Sequence, residues 1–253
     1  MSEESKCVRP TWAQKGDNAL LWPFLQEDSK QTTALRESLN IMQNIADKYA
    51  GKCISILDLG CGEGKSYDDF KAAGLEFDWI GVDISDSPEV ASRCRDDLEF
   101  VSFDGVNIPL PDESVDIIYS RQVFEHVHSP KELLQDVQRV LKPGGWFVGS
   151  TSHLEPYHSR SFWNYTPFGF ASFLSESGFT EITLKPGIDG ITLILRRLLG
   201  AAGLKIGHWF FNHQSPLNLF IEVIGRVGRI DKRRRCALKL EYCGHFIFCV
   251  KKT

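Results

Sequence analysis

Apolar and polar positions change rhythm several times along this chain, and each change predicts an element. From Thr32 to Tyr49, Leu35, Leu39, Met42, Ile45, Ala46 and Tyr49 recur at helical spacing, and Gly51 closes the segment. Short β-prone runs follow at Cys53–Leu59, Phe77–Asp83, Leu98–Phe103, Val115–Ser120 and Trp146–Ser150. Helices fit between them at about Lys65–Ala73, Pro88–Asp96 and Pro130–Leu141. Such alternation predicts an α/β fold: a parallel sheet with helices on both faces and ligand sites at the carboxyl ends of its strands.

Beyond the fifth strand the rhythm changes. Thr166-Pro167 reads as the N-cap and first position of a helix through Phe170, Phe173 and Leu174, which Gly178 stops. Lys142-Pro-Gly-Gly145 reads as the turn out of the preceding helix into the fifth strand. Thr180–Lys185 and Phe246–Lys251 read as two more strands. Residues 187–244 lie between them, with apolar helical stretches at Ile191–Leu199 and Leu217–Val227 and a basic run at Lys232–Arg235. An insertion of this length carries its own structure. The expected organisation is an arm and helix over 1–52, a core over 53–186, a helical cap over 187–244 and a final strand over 245–253. The basic run is expected to be a solvated face, and residues 1–30 an irregular arm docked through one or two aromatics from Trp12, Trp22 and Phe24.

Composition narrows the class. Of 253 residues, 42% are hydrophobic and 25% charged, the ordinary mixture of a soluble globular protein, and a net charge of −4 gives no bias towards nucleic acid. The seven cysteines form no CxxC pair and no metal-ligand spacing, so no metal site is expected. Cys53 and Cys249 lie in apolar runs and read as buried free thiols of a reducing compartment. The polar N-terminus lacks the apolar core of a signal peptide, and no run reaches the roughly 18 apolar residues of a membrane span. A cytoplasmic location is the expectation.

The chemistry is concentrated where the first strand ends. Asp58 closes that strand and Gly60, Gly62 and Gly64 follow at alternate positions. Asp83 ends the second strand nineteen residues after Gly64. Glycines at a strand-to-helix turn let a ligand approach the backbone, and an acid at the next strand end can accept from both ribose hydroxyls. The pattern describes a site for an adenosine-containing cofactor. A dinucleotide fingerprint requires a third glycine where Lys65 stands, and Asp58 and Glu63 would repel a pyrophosphate. A ligand carrying an ammonium and a sulfonium suits the same acids.

Further on come Phe103-Asp104-Gly105, the run Ile108–Ser120, Phe124-Glu125-His126-Val127 and Arg139–Gly145 before another strand. From about Ile54 to Ser150 this order resembles the class I S-adenosylmethionine-dependent methyltransferases, in the broad branch acting largely on small molecules. The resemblance implies a Rossmann-like, mostly parallel seven-stranded sheet whose last strand is antiparallel. It also implies S-adenosyl-L-methionine as cofactor. Asp58, Gly60, Cys61, Gly62 and Gly64 would border its methionine half, Asp83 would hold the ribose, and Ile84 would lie against the adenine. Asp104 would accept from the adenine amino group, with Gly105 offering its N–H to the ring, and Ser120, Arg121 and Gln122 would floor the site near the methyl group.

His153, Glu155, Tyr157, His158, Trp163, Asn164 and Tyr165 follow the fifth strand at the same edge and suit recognition of a hydroxylated acceptor. One of His126, His153 and His158 is expected to take the acceptor's proton. Tyr157–Phe170 is similar to methyltransferases encoded with glycan or secondary-metabolite pathways, so transfer to oxygen on a small molecule is the expected reaction. Ser120-Arg121-Gln122-Val123 lacks the Asn/Asp-Pro-Pro-aromatic motif that grips a flipped base, which disfavours nucleic acid as substrate. The alternatives are a non-catalytic scaffold of the same fold and a nicotinamide-dependent oxidoreductase. Apolar helices beside basic residues in the cap also suit a peripheral membrane contact.

Overall fold

The computed structural model describes residues 17–25, 34–49, 51–201, 203 and 215–253. Seven strands form one sheet: β1 Ile54–Leu59, β2 Phe77–Ile84, β3 Phe100–Phe103, β4 Val115–Arg121, β5 Leu141–Ser152, β6 Phe179–Pro186 and β7 His245–Lys252. Their spatial order is β3-β2-β1-β4-β5-β7-β6. β1 to β5 pair in parallel, and β7 is antiparallel to both of its neighbours. The helices described are α1 Ala34–Ala46, α2 Lys65–Ala72, α3 Pro88–Ala91, α4 Pro130–Val140, α5 Pro167–Glu176, α6 Gly190–Ala201, α7 Pro216–Val227 and α8 Lys232–Glu241. Trp12 of the expected arm, Cys7, and residues 202 and 204–214 of the insertion lie outside the described residues.

The central strands are apolar almost throughout because both faces are covered. Successive side chains alternate between two cores. Ile56, Ile117, Val148 and Ile247 join Ile41, Met42 and Ile45 of α1 and Phe70 of α2 on one face. Leu57, Ile118, Phe147 and Phe248 join Leu133, Leu134 and Val137 of α4, Phe170 and Leu174 of α5, and Cys236 and Leu240 of α8 on the other. Each fully buried large side chain is worth roughly 1.5–3 kcal/mol, so the layered packing dominates the fold's stability.

Local signals behave as their chemistry requires. The Thr166 hydroxyl accepts from the Gly169 N–H at 3.0 Å and starts α5 at Pro167. Ser87 caps α3 through the Val90 N–H at 3.1 Å, but that helix ends at Ala91 instead of continuing to Asp96. Beyond it Arg93 turns back to the glycine-rich turn: its Nη2 donates to the Gly62 carbonyl at 2.7 Å and its guanidinium lies 3.7 Å from the Phe100 ring centre.

Two expectations are corrected. Cys53 is exposed, because it precedes β1 and lies outside the two packed faces, whereas Cys249 in β7 is buried. The basic run is a solvated face only in part: Lys232 and Arg234 are exposed, while Arg233 and Arg235 turn inward. Asp231 caps the start of α8 by accepting from the Arg234 N–H at 2.9 Å, and Arg235 is buried against Glu222. Lys239, one turn on, donates to the same Glu222 carboxylate at 2.9 Å. The Arg233 guanidinium reaches the Trp22 carbonyl and the face of its ring.

Candidate active site

Parallel pairing sets the ends of β1, β2 and β4 on one sheet edge, with Asp58 opposite both Gly81 and Tyr119. The chain leaves β1 through Gly60, Gly62 and Gly64 at φ of 73°, 51° and 80°, a region L side chains rarely occupy. A Cβ on Gly60 would stand 2.3 Å from Val123 Cγ2, so the segment after β4 presses directly on the turn.

Asp83 is locked beneath that turn. Its Oδ2 accepts from the Gly62 N–H and its Oδ1 from the Ile84 N–H, both at 2.7 Å. Each oxygen keeps a lone pair for a ligand hydroxyl. Burial raises its pKa, while the two N–H donors and Arg93 oppose the rise. Asp58 is buried and accepts from the Ser66 hydroxyl; burial pushes its carboxyl up to about 7. Cys61 is buried beside it. Glu63 pairs with Lys65 at 3.0 Å, which offsets one of the two charges expected to repel a pyrophosphate. The missing third glycine still stands against a dinucleotide.

Further along the edge, Ile84 is 37% exposed. Asp104 accepts from the Val106 N–H at 2.8 Å and from the Asn107 N–H and side-chain amide at 2.6 Å. Those donors hold its carboxyl down to about 2. Gly105 beside it has φ of 91°. Ser120 is fully buried, and Arg121 Nη1 stands 3.7 Å from Asp69 on α2. Gln122 turns the chain at φ of 57°, donating through its backbone N–H to the Ser150 carbonyl at 2.9 Å and through its amide to the Ser150 hydroxyl at 3.1 Å.

Beyond Gln122 the edge becomes a polar cluster. Glu125 is fully buried and accepts from Thr151 Oγ1 at 2.9 Å and Ser152 Oγ at 3.1 Å. Burial raises its carboxyl to about 7. His126 stands in a short 3-10 turn, Phe124–His126, and its ring packs edge-on against His158 with centroids 5.2 Å apart. Burial, and then the neighbouring His158, lower the His126 pKa. His153 is drawn away from this pair: its Nδ1 meets the Tyr165 carbonyl at 2.9 Å, and burial lowers its pKa too. Among the expected acceptor residues, Tyr157 is 82% exposed, Trp163 donates to the Val127 carbonyl at 2.8 Å and Asn164 to the Glu155 carbonyl at 2.9 Å.

Three functional candidates, Arg93, Arg197 and His245, lie outside the residues named from the sequence. Glu155 is a buried anion on which Ser152, Arg197 from α6 and His245 from β7 converge, the last at 2.7 Å. Desolvation opposes its ionisation, yet these partners hold its carboxyl well below the usual range. Arg93, Arg197 and His245 carry no motif of their own, and only folding brings them to this edge.

A family model described as a methyltransferase domain matches residues 57–149. A probable S-adenosylmethionine-dependent methyltransferase of Mycolicibacterium smegmatis is 31% identical over 132 residues, covering 47% of this chain and 50% of that protein. Phosphoethanolamine N-methyltransferase 1 of Arabidopsis thaliana is 27% identical over 207 residues, 76% of this chain and 41% of that protein. The chain thus spans about half the length of the curated relatives it matches. In fold it is similar to a SAM-dependent methyltransferase from Archaeoglobus fulgidus, with TM-score 0.55 and 19% identity over 86% of this chain and 94% of that one. Residues 57–149 are thus similar to a methyltransferase domain, and they build the parallel part of the seven-stranded sheet, where the glycine turn faces Asp83.

Proposed function

We propose that the chain methylates a hydroxyl of a small polar molecule held over His126 and His158. The observation that carries this reading is the gathering of two imidazoles and Glu125 at the sheet edge that also presents the glycine turn and Asp83. The turn fits S-adenosylmethionine because its three glycines hold a left-handed path that brings the Gly62 N–H onto Asp83, and Asp83 keeps an acceptor lone pair on each oxygen. Asp83 holds the ribose, Ile84 flanks the adenine, and ionised Asp104 accepts from the adenine amino group, with Gly105 beside the ring. Gly60, Gly62 and Gly64 border the methionine half, while Asp58, Cys61 and Ser120 support that wall from beneath, and Arg121 and Gln122 close the floor.

When bound, the cofactor supplies an electrophilic methyl group on a positively charged sulfur. The chain aligns the acceptor oxygen with that methyl and takes the hydroxyl proton as the oxygen–carbon bond forms. His126 is suited to this because burial and His158 keep its imidazole neutral near pH 7. A positioned base contributes roughly 10²–10⁴-fold, and alignment supplies much of the rest. The residues 187–244 act as a cap, with Arg197 of α6 reaching into the edge at Glu155.

The cap also suits the surface of an anionic membrane. Residues 190–241 carry ten Lys and Arg against three Asp and Glu, while the whole chain is at −4. Ile191, Ile194, Leu195 and Leu198 form an exposed stripe on α6, and Phe220, Val223, Ile224 and Val227 form another on α7. No described helix is long and apolar enough to cross a membrane. Free buried thiols at Cys61, Cys236, Cys243 and Cys249 suit a reducing, cytoplasmic setting.

A second reading, transfer to nitrogen, is favoured by the likeness to the plant phosphoethanolamine N-methyltransferase. Labelled methyl donor incubated with a small-metabolite extract, followed by mass spectrometry, separates the two by the atom labelled. Label on a hydroxyl, with single-turnover rates falling in His126→Ala or His158→Ala, supports the proposal. Label in protein or RNA alone would refute it. Flotation with anionic vesicles at low salt tests the membrane contact, and protein left in the pellet speaks against it.

A further inference from the structure

We infer that Glu125, His126 and His158 form a binding site for one divalent transition-metal ion of the Zn2+ or Mn2+ class. In that role, which rests on the acceptor reading above, the open coordination positions would take the acceptor hydroxyl and lower its pKa. One ligand atom from each residue lies within 4.8 Å of the other two. Bond lengths of about 2.0–2.2 Å to imidazole nitrogen and carboxylate oxygen require such atoms to approach by about another ångström. The side chains can make that adjustment, because His126 ends a single 3-10 turn and His158 sits in the connection between β5 and α5.

The surroundings are those of ligating groups. A metal-bound imidazole characteristically donates its second ring N–H to a carbonyl or carboxylate, which fixes the tautomer and aims the other nitrogen at the ion. The His126 ring packs edge-on against the His158 ring, with centroids 5.2 Å apart, which sets the two imidazoles side by side. His158 Nδ1 rests 3.3 Å from the Pro156 carbonyl, with Glu155 Oε1 at 3.8 Å. The Glu125 carboxylate is oriented in the same way, by hydroxyl donors from Thr151 at 2.9 Å and Ser152 at 3.1 Å. Thus His158 and Glu125 each have a hydrogen-bond partner beside the cluster, and His126 is set by its contact with the His158 ring.

The donor set selects the ion. Two imidazoles and one carboxylate leave positions open and suit zinc, iron and manganese, whereas magnesium prefers an all-oxygen shell. A hydroxyl taken up in an open position loses its proton more readily, as metal-bound water does. The geometry therefore joins acceptor binding to acceptor activation. With the ion bound the His126 lone pair is committed to it, so the metal takes over from the imidazole in activating the hydroxyl. The proton leaves the acceptor oxygen for solvent, and the ion is neither oxidised nor reduced.

The test uses the full chain, stripped with a chelator. Zn2+ affinity and stoichiometry are measured by competition with a chromophoric chelator, and Co2+ serves as a spectroscopic probe. The inference expects one Zn2+ per chain, no competition by equimolar Mg2+, and Co2+ bands without thiolate charge transfer. His126→Ala and His158→Ala should each weaken binding by more than the roughly 10–100-fold typical of losing an outer-shell partner. Replacing the two exposed cysteines among the described residues, Cys53→Ser and Cys94→Ser, should change nothing. Substoichiometric Zn2+, a thiolate band, or loss of binding in the cysteine variant would overturn the site. The cobalt spectrum needs no variant, so a misfolded histidine mutant does not shield the idea. Calorimetry with S-adenosylmethionine on the same metal-free protein separates the two readings. Cofactor binding without zinc binding overturns the metal site alone, and zinc binding without cofactor binding overturns the transferase reading alone.

Discussion

Asp58 and Glu155 are both buried carboxyls beside the same sheet edge, yet their surroundings drive them in opposite directions. With the two sides named for the proposed function, Asp58, on the cofactor side, has the Ser66 hydroxyl as its hydrogen-bond donor, and burial lifts it to about 7. Glu155, on the acceptor side, gathers Arg197, His245 and Ser152, and stays ionised well below the usual carboxylate range. The cofactor side thus tolerates a neutral acid and relies on backbone geometry. The acceptor side is held by charge, from elements far apart in the chain. Partners of the first kind lie 8 residues apart at Asp58 and Ser66, and those of the second 90 apart at Glu155 and His245. A site of the first kind is set by one strand and one turn. The second exists only once β5, α6 and β7 have packed together.

The largest expected effect comes where the two sides touch. Gly60→Ala would put a Cβ 2.3 Å from Val123 and force an alanine to hold φ of 73°. Left-handed strain and overpacking together should cost about 3–4 kcal/mol, read as a lower urea midpoint, with cofactor binding lost as well. A variant of wild-type stability would show that the Val123 segment yields, and that the sides are not mechanically joined.

Glu155→Gln should sharpen the contrast. Near neutral pH it leaves His245 and the half-exposed Arg197 without their anion, at a cost of about 2–3 kcal/mol, while cofactor affinity is unchanged. A depressed carboxyl contributes stability that is present above its unfolded value, about 4.3, and lost as pH falls. The deficit of the variant should therefore shrink in acid. A deficit independent of pH from 3 to 7 would mean that packing, not charge, holds the acceptor side.

Asp58→Asn should act with the opposite sign. A raised carboxyl contributes stability that is fully present below its unfolded value, about 3.9, and lost as pH rises through the folded value of about 7. Between those limits the wild type should lose up to about 1.4 kcal/mol per pH unit on this account, and the asparagine variant should lose less. Parallel stability curves for the two proteins would remove Asp58 from the titration.

The same division governs what could be read from the residues alone. The glycine turn, Asp83, the existence of all seven strands and the Thr166 cap are written in short-range spacing. But β5 begins at Leu141 and takes in the expected Lys142–Gly145 turn, because Leu141 pairs with Val115 across a register shift. The early end of α3 is not written there either, because it depends on Arg93 turning back to the Gly62 carbonyl thirty-one residues away. The basic run looked solvated because the sequence gives no sign that Glu222 of α7 will pair with Arg235 and Lys239. His153, His126 and His158 are equivalent in sequence, and tertiary contacts alone separate the first from the other two. Cys53 fell outside the packed faces by a single residue, at a strand boundary that hydrophobicity does not mark.

The central claim is that the edge formed by the glycine turn and Asp83 binds S-adenosylmethionine. Its most direct test is a calorimetric titration of the wild type and of Asp83→Asn with S-adenosylmethionine, and of the wild type with NAD. The account predicts one cofactor per chain, no measurable NAD binding, and an affinity lowered by about 1.5–3 kcal/mol in a variant with an unchanged melting profile. Equal affinity in the variant, or NAD bound in preference to S-adenosylmethionine, would contradict it.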